Sequence, residues 1–249
     1  MKFPIHIIVY CDNPELAGAA YLTLDSVRVG FPTSEITVHW CGNNVDVMKK
    51  VVEKADLIDA KVNYNFAGMT HPAVVKQLFL EESHFILLDS DVVFWKNCED
   101  FQPTKGLIAG RLIPQYECPV VEAVMIQRLH TSFMYFLDTS AIRDAIKKEN
   151  LRYVTFDPIS PFISCYQGRR HFYDTTANLY QLIDGEIFDE EMMDRFDHLG
   201  CGSYIDKVEQ IRPDIFKGVN KDYKAFFNDT LLMKNLWKNH NEYYRALRV

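Results

Sequence analysis

Roughly the first third of the chain alternates between two hydrophobic periods, and this alternation restricts the fold more than any other feature. Ile5-His6-Ile7-Ile8-Val9-Tyr10 is rich in β-branched residues and reads as a strand. Cys11-Asp12-Asn13-Pro14 is turn chemistry. Residues 15–29 have a helical pattern that Gly30-Phe31-Pro32 stops. A second strand over 35–40, an amphipathic helix over 45–55 and a short strand over 61–66 follow. Thr70 then opens a helix with Pro72 in its first turn, running to about Ser83. Repeated strand–helix units imply a mostly parallel central sheet with helices packed on both faces. In such sheets, ligands bind outside the carboxyl ends of the strands.

The fourth strand, over 85–88, ends at such a place. Its apolar run meets Asp89-Ser90-Asp91, and Val92-Val93-Phe94-Trp95 then resumes the apolar pattern. Aspartate is a poor strand residue, and a buried carboxylate is costly unless something compensates it. Two neighbouring like charges are worse. A divalent cation such as Mg²⁺ or Mn²⁺ resolves the conflict, because hard cations take carboxylate oxygens. The pair therefore predicts a metal, and the metal predicts a phosphorylated ligand. The other reading is an ordinary strand end with two solvent-facing acids.

Composition narrows the setting. The 249 residues are 48% hydrophobic, enough for one sizeable α/β domain over 1–249. We expect a nucleotide-binding half over about 1–95 and an acceptor half from about 96 onward. The net charge of −7 argues against broad, charge-driven nucleic-acid binding. No run reaches the length of a membrane span, and no signal-peptide pattern opens the sequence. The six cysteines form no CxxC pair, so they read as reduced thiols in a cytoplasmic protein.

Beyond residue 95 the pattern is less regular. Residues 107–112 and 132–137 are strand candidates, and 139–148 is a helix candidate. The stretch 152–168 contains Asp157-Pro158 and Ser160-Pro161 and reads as an irregular loop. Asp174 is placed to cap a helix over 175–183. Asp189-Glu190-Glu191 looks like a helix start, which the helix dipole favours. Residues 195–199 look extended, and 220–249 have helical texture.

The layout resembles the GT-A class of glycosyltransferases. The matching pieces are the first strand, the segment Phe85-Ile86-Leu87-Leu88-Asp89-Ser90-Asp91, and the late run His198-Leu199-Gly200-Cys201-Gly202-Ser203. The resemblance implies a Rossmann-like fold, a nucleoside-diphosphate sugar as donor (UDP-linked by analogy), and Mn²⁺ or Mg²⁺ on the diphosphate. It implies that Asp89 and Asp91 reach the metal, that Ser90 lies between them at the nucleotide, and that His198 adds a ligand. Neutral imidazole suits Mn²⁺, and Gly200 after it allows close backbone approach to phosphates. His198 as a plain strand-end residue beside a glycine turn is the alternative. An Asp-x-Asp after an apolar strand also resembles the first motif of haloacid-dehalogenase-type phosphatases. That motif normally opens its domain, whereas here several strand–helix units precede it. A nucleotidyltransferase would want a glycine-rich basic loop after the first strand, which Cys11-Asp12-Asn13-Pro14 lacks. A non-catalytic nucleotide-sugar-binding protein stays open.

The same resemblance extends to the remaining candidates. It places Tyr10, Cys11 and Asp12 at the nucleobase and ribose, and His71 at the nucleotide. Arg128 and His130, flanking the strand near 133–137, would touch phosphate or hydroxyl groups. A surface pair of Arg128 with an aspartate is the plainer account. Asp174 after Phe172 and Tyr173 fits an acid or base on an acceptor hydroxyl, or simply a helix cap. The acceptor itself is not legible. Glycan, lipid-linked sugar, protein and modified nucleobase are all open, the last without support from net charge.

Overall fold

The computed structural model describes residues 2–10, 17–118, 123–150 and 157–198. Strand β1 (Ile5–Val9) is buried along its whole length. It is followed by α1 (Gly18–Gly30), β2 (Ile36–Trp40) and α2 (Val45–Leu57). Asn44 starts α2 by accepting the backbone N–H groups of Asp46 and Val47, two of the donors a helix start leaves unpaired. Then come β3 (Lys61–Asn63), α3 (His71–Glu81) and β4 (Phe85–Asp89). Thr70 is the N-cap of α3 by position, but its side chain makes no capping hydrogen bond.

The later elements are shorter. They are β5 (Val92–Phe94), β6 (Ile108–Ile113), β7 (Tyr116–Cys118), β8 (Ala123–Met125) and β9 (Arg128–Phe136). After α4 (Thr139–Asn150) come β10 (Phe162–Tyr166), β11 (Arg169–Tyr173) and α5 (Ala177–Leu182). The last described elements are β12 (Gly185–Ile187), α6 (Glu190–Met193) and β13 (Phe196–His198). The central sheet has the order β12-β6-β9-β4-β1-β2-β3. Every strand in it runs the same way except β9, which is antiparallel to both β4 and β6. The expected α/β fold with a mostly parallel sheet is therefore present.

The two faces carry separate cores. One packs Ala20, Leu24 and Val27 of α1 and Val47 and Val51 of α2 against Ile5, Ile7 and Val9. The other packs Val74, Val75 and Leu78 of α3, Ile142 of α4 and Leu179 of α5 against Phe85, Leu87 and Phe136. Each fully buried aliphatic or aromatic side chain of this kind contributes about 1.5–3 kcal/mol.

Helix α1 also fixes the chain just after the aspartates. Thr23 Oγ1 accepts the N–H of Val92 (3.2 Å) and Ser26 Oγ accepts that of Phe94 (3.1 Å), so β5 is held by hydroxyls although it has left the central sheet. A side chain at Gly30 would meet the Phe94 ring at 2.6 Å, so the helix end and β5 approach only because that position is glycine.

Three expectations change. The stretch read as a loop over 152–168 contains β10, which turns through Gln167 and Gly168 into an antiparallel pairing with β11. The strand expected over 132–137 begins four residues earlier, so Arg128 and His130 lie inside β9 rather than flanking it. Helix α5 starts at Ala177 with Thr176 as its N-cap, so Asp174 does not cap it by side chain. Prolines at 158 and 161 hid β10, and the polar His130-Thr131-Ser132 hid the start of β9. The helical texture of 220–249 lies outside the described residues.

Candidate functional site

Strand order reverses beside β1. From β1 the chain proceeds to β2 and β3 on one side, while β4 lies on the other, in parallel and with Ile8 opposite Asp89. Such a reversal of strand order opens a binding cleft at the carboxyl ends. Tyr10, directly after β1, is 49% exposed there. Asp89 is the last residue of β4, and Ser90 and Asp91 form the turn into β5.

Three neighbouring elements bring partners to the aspartates. The first turn of α3 sets His71 Nε2 2.8 Å from Asp89 Oδ1. The antiparallel pairing of β13 with β5 puts His198 opposite Val92, and its Nε2 lies 3.3 Å from Asp91 Oδ1. Strand β9 runs against β4, so its first residues sit at the same sheet end. The His130 ring packs on His198 with centroids 4.3 Å apart. Arg128 is buried, and its Nη2 lies 3.1 Å from Asp174 Oδ2, just past β11. Asp174 Oδ1 accepts the N–H of Thr175. Asp138, the other aspartate near this strand, instead accepts the N–H of Ala141 at the start of α4.

The electrostatics follow from this packing. Burial alone would lower the pKa of His71. The charge and hydrogen bond of Asp89, with Asp174 and Asp91 behind it, outweigh burial and raise it. Burial would raise Asp89, but His71, by charge and hydrogen bond, and then His198 hold it lower. His130 is pushed well below its ordinary value by burial first, then by His198, Arg128, Arg111 and His71. The carboxylates therefore favour the protonated form of His71, while burial and the neighbouring cations favour the neutral form of His130.

A cation fits one part of this arrangement. Among the described residues, no three His, Cys, Asp or Glu side chains converge as a complete metal site. Yet Asp91 Oδ1 is buried without a hydrogen bond, an unfavourable state for a carboxylate oxygen. Its neighbour His198 Nε2 is an imidazole donor 3.3 Å away. Two adjacent ligands of one octahedral ion with bonds of about 2.1 Å lie about 3 Å apart. A carboxylate and an imidazole at this separation could be two ligands of a divalent cation such as Mn²⁺.

The candidates Asp89, Ser90, Asp91, His71, His198, His130, Arg128 and Asp174 thus occupy one end of the sheet. Cys11, Asp12 and Gly200 lie outside the described residues. Two participants escaped the sequence reading. Ser132 hydrogen-bonds His130 Nδ1, and Arg111 sits at the β6 irregularity between Gly110 and Leu112, close enough to act on His130. A charged residue inside the apolar run Ile108-Ala109-Gly110-Arg111-Leu112 was the signal for the second.

No family model and no curated protein sequence matches the chain. Solved structures with similar backbones include a WbbM bifunctional glycosyltransferase (10% identity, TM-score 0.43), covering 75% of this chain and 38% of that one. The mannosyltransferase PcManGT from Pyrobaculum calidifontis, solved with GDP-Man and Mn²⁺, has 10% identity and TM-score 0.39 over 60% of this chain and 47% of that one. TarS residues 1–349 from S. aureus has 12% identity and TM-score 0.44 over 91% and 69%. The chain therefore spans less than half the length of the first two. Likeness at this level carries no functional argument, which has to come from the residues at the strand ends.

Proposed function

We propose that this chain is a metal-dependent glycosyltransferase that moves a sugar from a nucleoside-diphosphate sugar, UDP-linked, to a hydroxyl-bearing acceptor. One observation carries the reading. At the strand ends where strand order reverses, a buried Asp91 oxygen lacks a hydrogen bond and faces an imidazole nitrogen.

Asp91 and His198, with Asp89 beside them, would hold Mn²⁺ or Mg²⁺. Bound there, the cation supplies charge that offsets the departing diphosphate and lowers the barrier to breaking the sugar–phosphate bond. His71 orients the Asp89 carboxylate through its 2.8 Å hydrogen bond. Tyr10, exposed beside the crevice, offers a face for stacking the base. Asp174 is held in place by Arg128 and is 36% exposed on its side chain, which suits it to accept a hydrogen bond from the acceptor hydroxyl.

The test is a thermal-shift comparison with UDP and UDP-sugars, with and without Mn²⁺. Ligand at a hundred times its Kd stabilises by about 2.7 kcal/mol, a rise of roughly 5–10 °C for a chain of this size. UDP with Mn²⁺ raises the midpoint, Asp91→Asn removes the metal-dependent part, and slow hydrolysis of a UDP-sugar separates an enzyme from a binder. Equal shifts with and without metal overturn the reading.

A further inference from the structure

His130 has a fixed proton arrangement. The backbone N–H of Ser132 donates to its Nδ1 at 3.2 Å, and Ser132 Oγ lies 2.6 Å from the same nitrogen. A backbone N–H can only donate, so Nδ1 carries its lone pair. A neutral imidazole then has its proton on Nε2, and the serine hydroxyl supplies a second donor to Nδ1. The constraint comes from β9 itself, because residues 130 and 132 lie on one side of a strand.

Among the described residues, Nε2–H meets no hydrogen-bond acceptor. The ring lies against His198 and within electrostatic reach of Arg111, Arg128 and His71. Charge-assisted hydrogen bonds are the stronger ones, so an anionic oxygen is the best acceptor for Nε2–H. We propose that His130, its Nδ1 occupied by Ser132, is an Nε2–H donor to a phosphate oxygen of the nucleotide donor. This rests on the glycosyltransferase reading and deepens it.

Two substitutions separate the nitrogens. His130→Asn keeps an acceptor near the Nδ1 position and loses the Nε2 donor. His130→Gln keeps a donor near Nε2 and loses the acceptor for Ser132. Calorimetric titration with UDP and Mg²⁺ should show His130→Asn weakened by about tenfold or more and His130→Gln by less than about threefold. Histidine-selective ¹⁵N–¹H spectra of the wild type should show the His130 proton on Nε2, and its signal should move when UDP is added. A proton on Nδ1 overturns the proposal, as does an undiminished affinity in His130→Asn. So does a loss in His130→Gln equal to that in His130→Asn, which would mark the ring as a support for β9. A wild type that binds no nucleoside diphosphate with metal defeats the proposed function first and this inference with it. Wild-type binding that His130→Asn leaves unchanged defeats this inference alone.

Discussion

The His6–His39 pair inside the central sheet and His71 at its end have opposite surroundings. His6 and His39 lie on adjacent strands, 4% and 2% exposed, with Nδ1 of the first 2.8 Å from Nε2 of the second. Their rings stack at 5.1 Å, and Phe85 and Phe66 close over them. The nearest carboxylate, Glu82, stands 3.5 Å from His6 Nε2. His71, at the sheet end, shares a short hydrogen bond with Asp89 and faces two further aspartates. Burial pushes His6 down to about 4, with a partial offset from Glu35. It pushes His39 down to about 3, helped by His6. Burial acts on His71 too, but the carboxylates reverse the outcome. Burial therefore decides the direction of the shift at His6 and His39, and the neighbouring carboxylates decide it at His71.

The two groups must then respond to pH with opposite sign. For His6 and His39 the unfolded chain takes up protons below 6.5, while the folded pair resists to about 4 and about 3. Their contribution is intact above pH 6.5 and is lost as pH falls towards the folded values. Together they remove on the order of 5 kcal/mol of stability by about pH 4, the largest effect expected in the molecule. His39→Leu strands His6 Nδ1 and costs about 1–3 kcal/mol at neutral pH, yet it should flatten the acid slope. Denaturant melts across this range check it. An unchanged slope would mean that the pair is not what drives acid unfolding.

His71 gives the reverse. Its folded pKa is raised, so its contribution is complete below the unfolded 6.5 and fades as pH rises through the folded value. In metal-free protein, His71→Leu leaves Asp89 Oδ1 without its donor and should cost about 1.5 kcal/mol near pH 6. The gap to wild type should narrow at alkaline pH. Subtracting the two melts removes the background from His6 and His39. A gap that widened with pH would contradict the upward shift at His71.

How much of this could be read from the sequence depended on the period of the pattern. Strands β1 and β4 are almost fully apolar because both faces are covered, and such runs stand out. The aspartate pair was legible because it interrupts one of them. The partners of the pair were harder. His71 is eighteen residues from Asp89 and His198 a hundred and seven from Asp91, and only topology joins them. The His6–His39 pair was invisible for the same reason. Nothing local says that two strand histidines thirty-three residues apart will touch. Asp174 carried a strong local signal, that of a helix cap, and the signal misled. Its side chain went to Arg128 and to the next residue's N–H instead.

The hairpin of β10 and β11 gives the mildest test of the contrast between core and site. It leads directly into Asp174, and its strands are largely exposed. Phe162 and Tyr173 stand opposite each other and stack with centroids 4.3 Å apart and planes 5° from parallel. Cross-strand aromatic pairs of this kind contribute about 0.2–1 kcal/mol. Phe162→Ala should therefore lower stability by about 0.5 kcal/mol and leave the affinity for UDP with Mg²⁺ unchanged, because Asp89, Asp91 and His198 are fixed by β4, β5 and β13. If the acceptor lies along this hairpin, transfer to it will fall while slow donor hydrolysis persists. A drop in nucleotide affinity would instead show that the hairpin supports the placement of the aspartates.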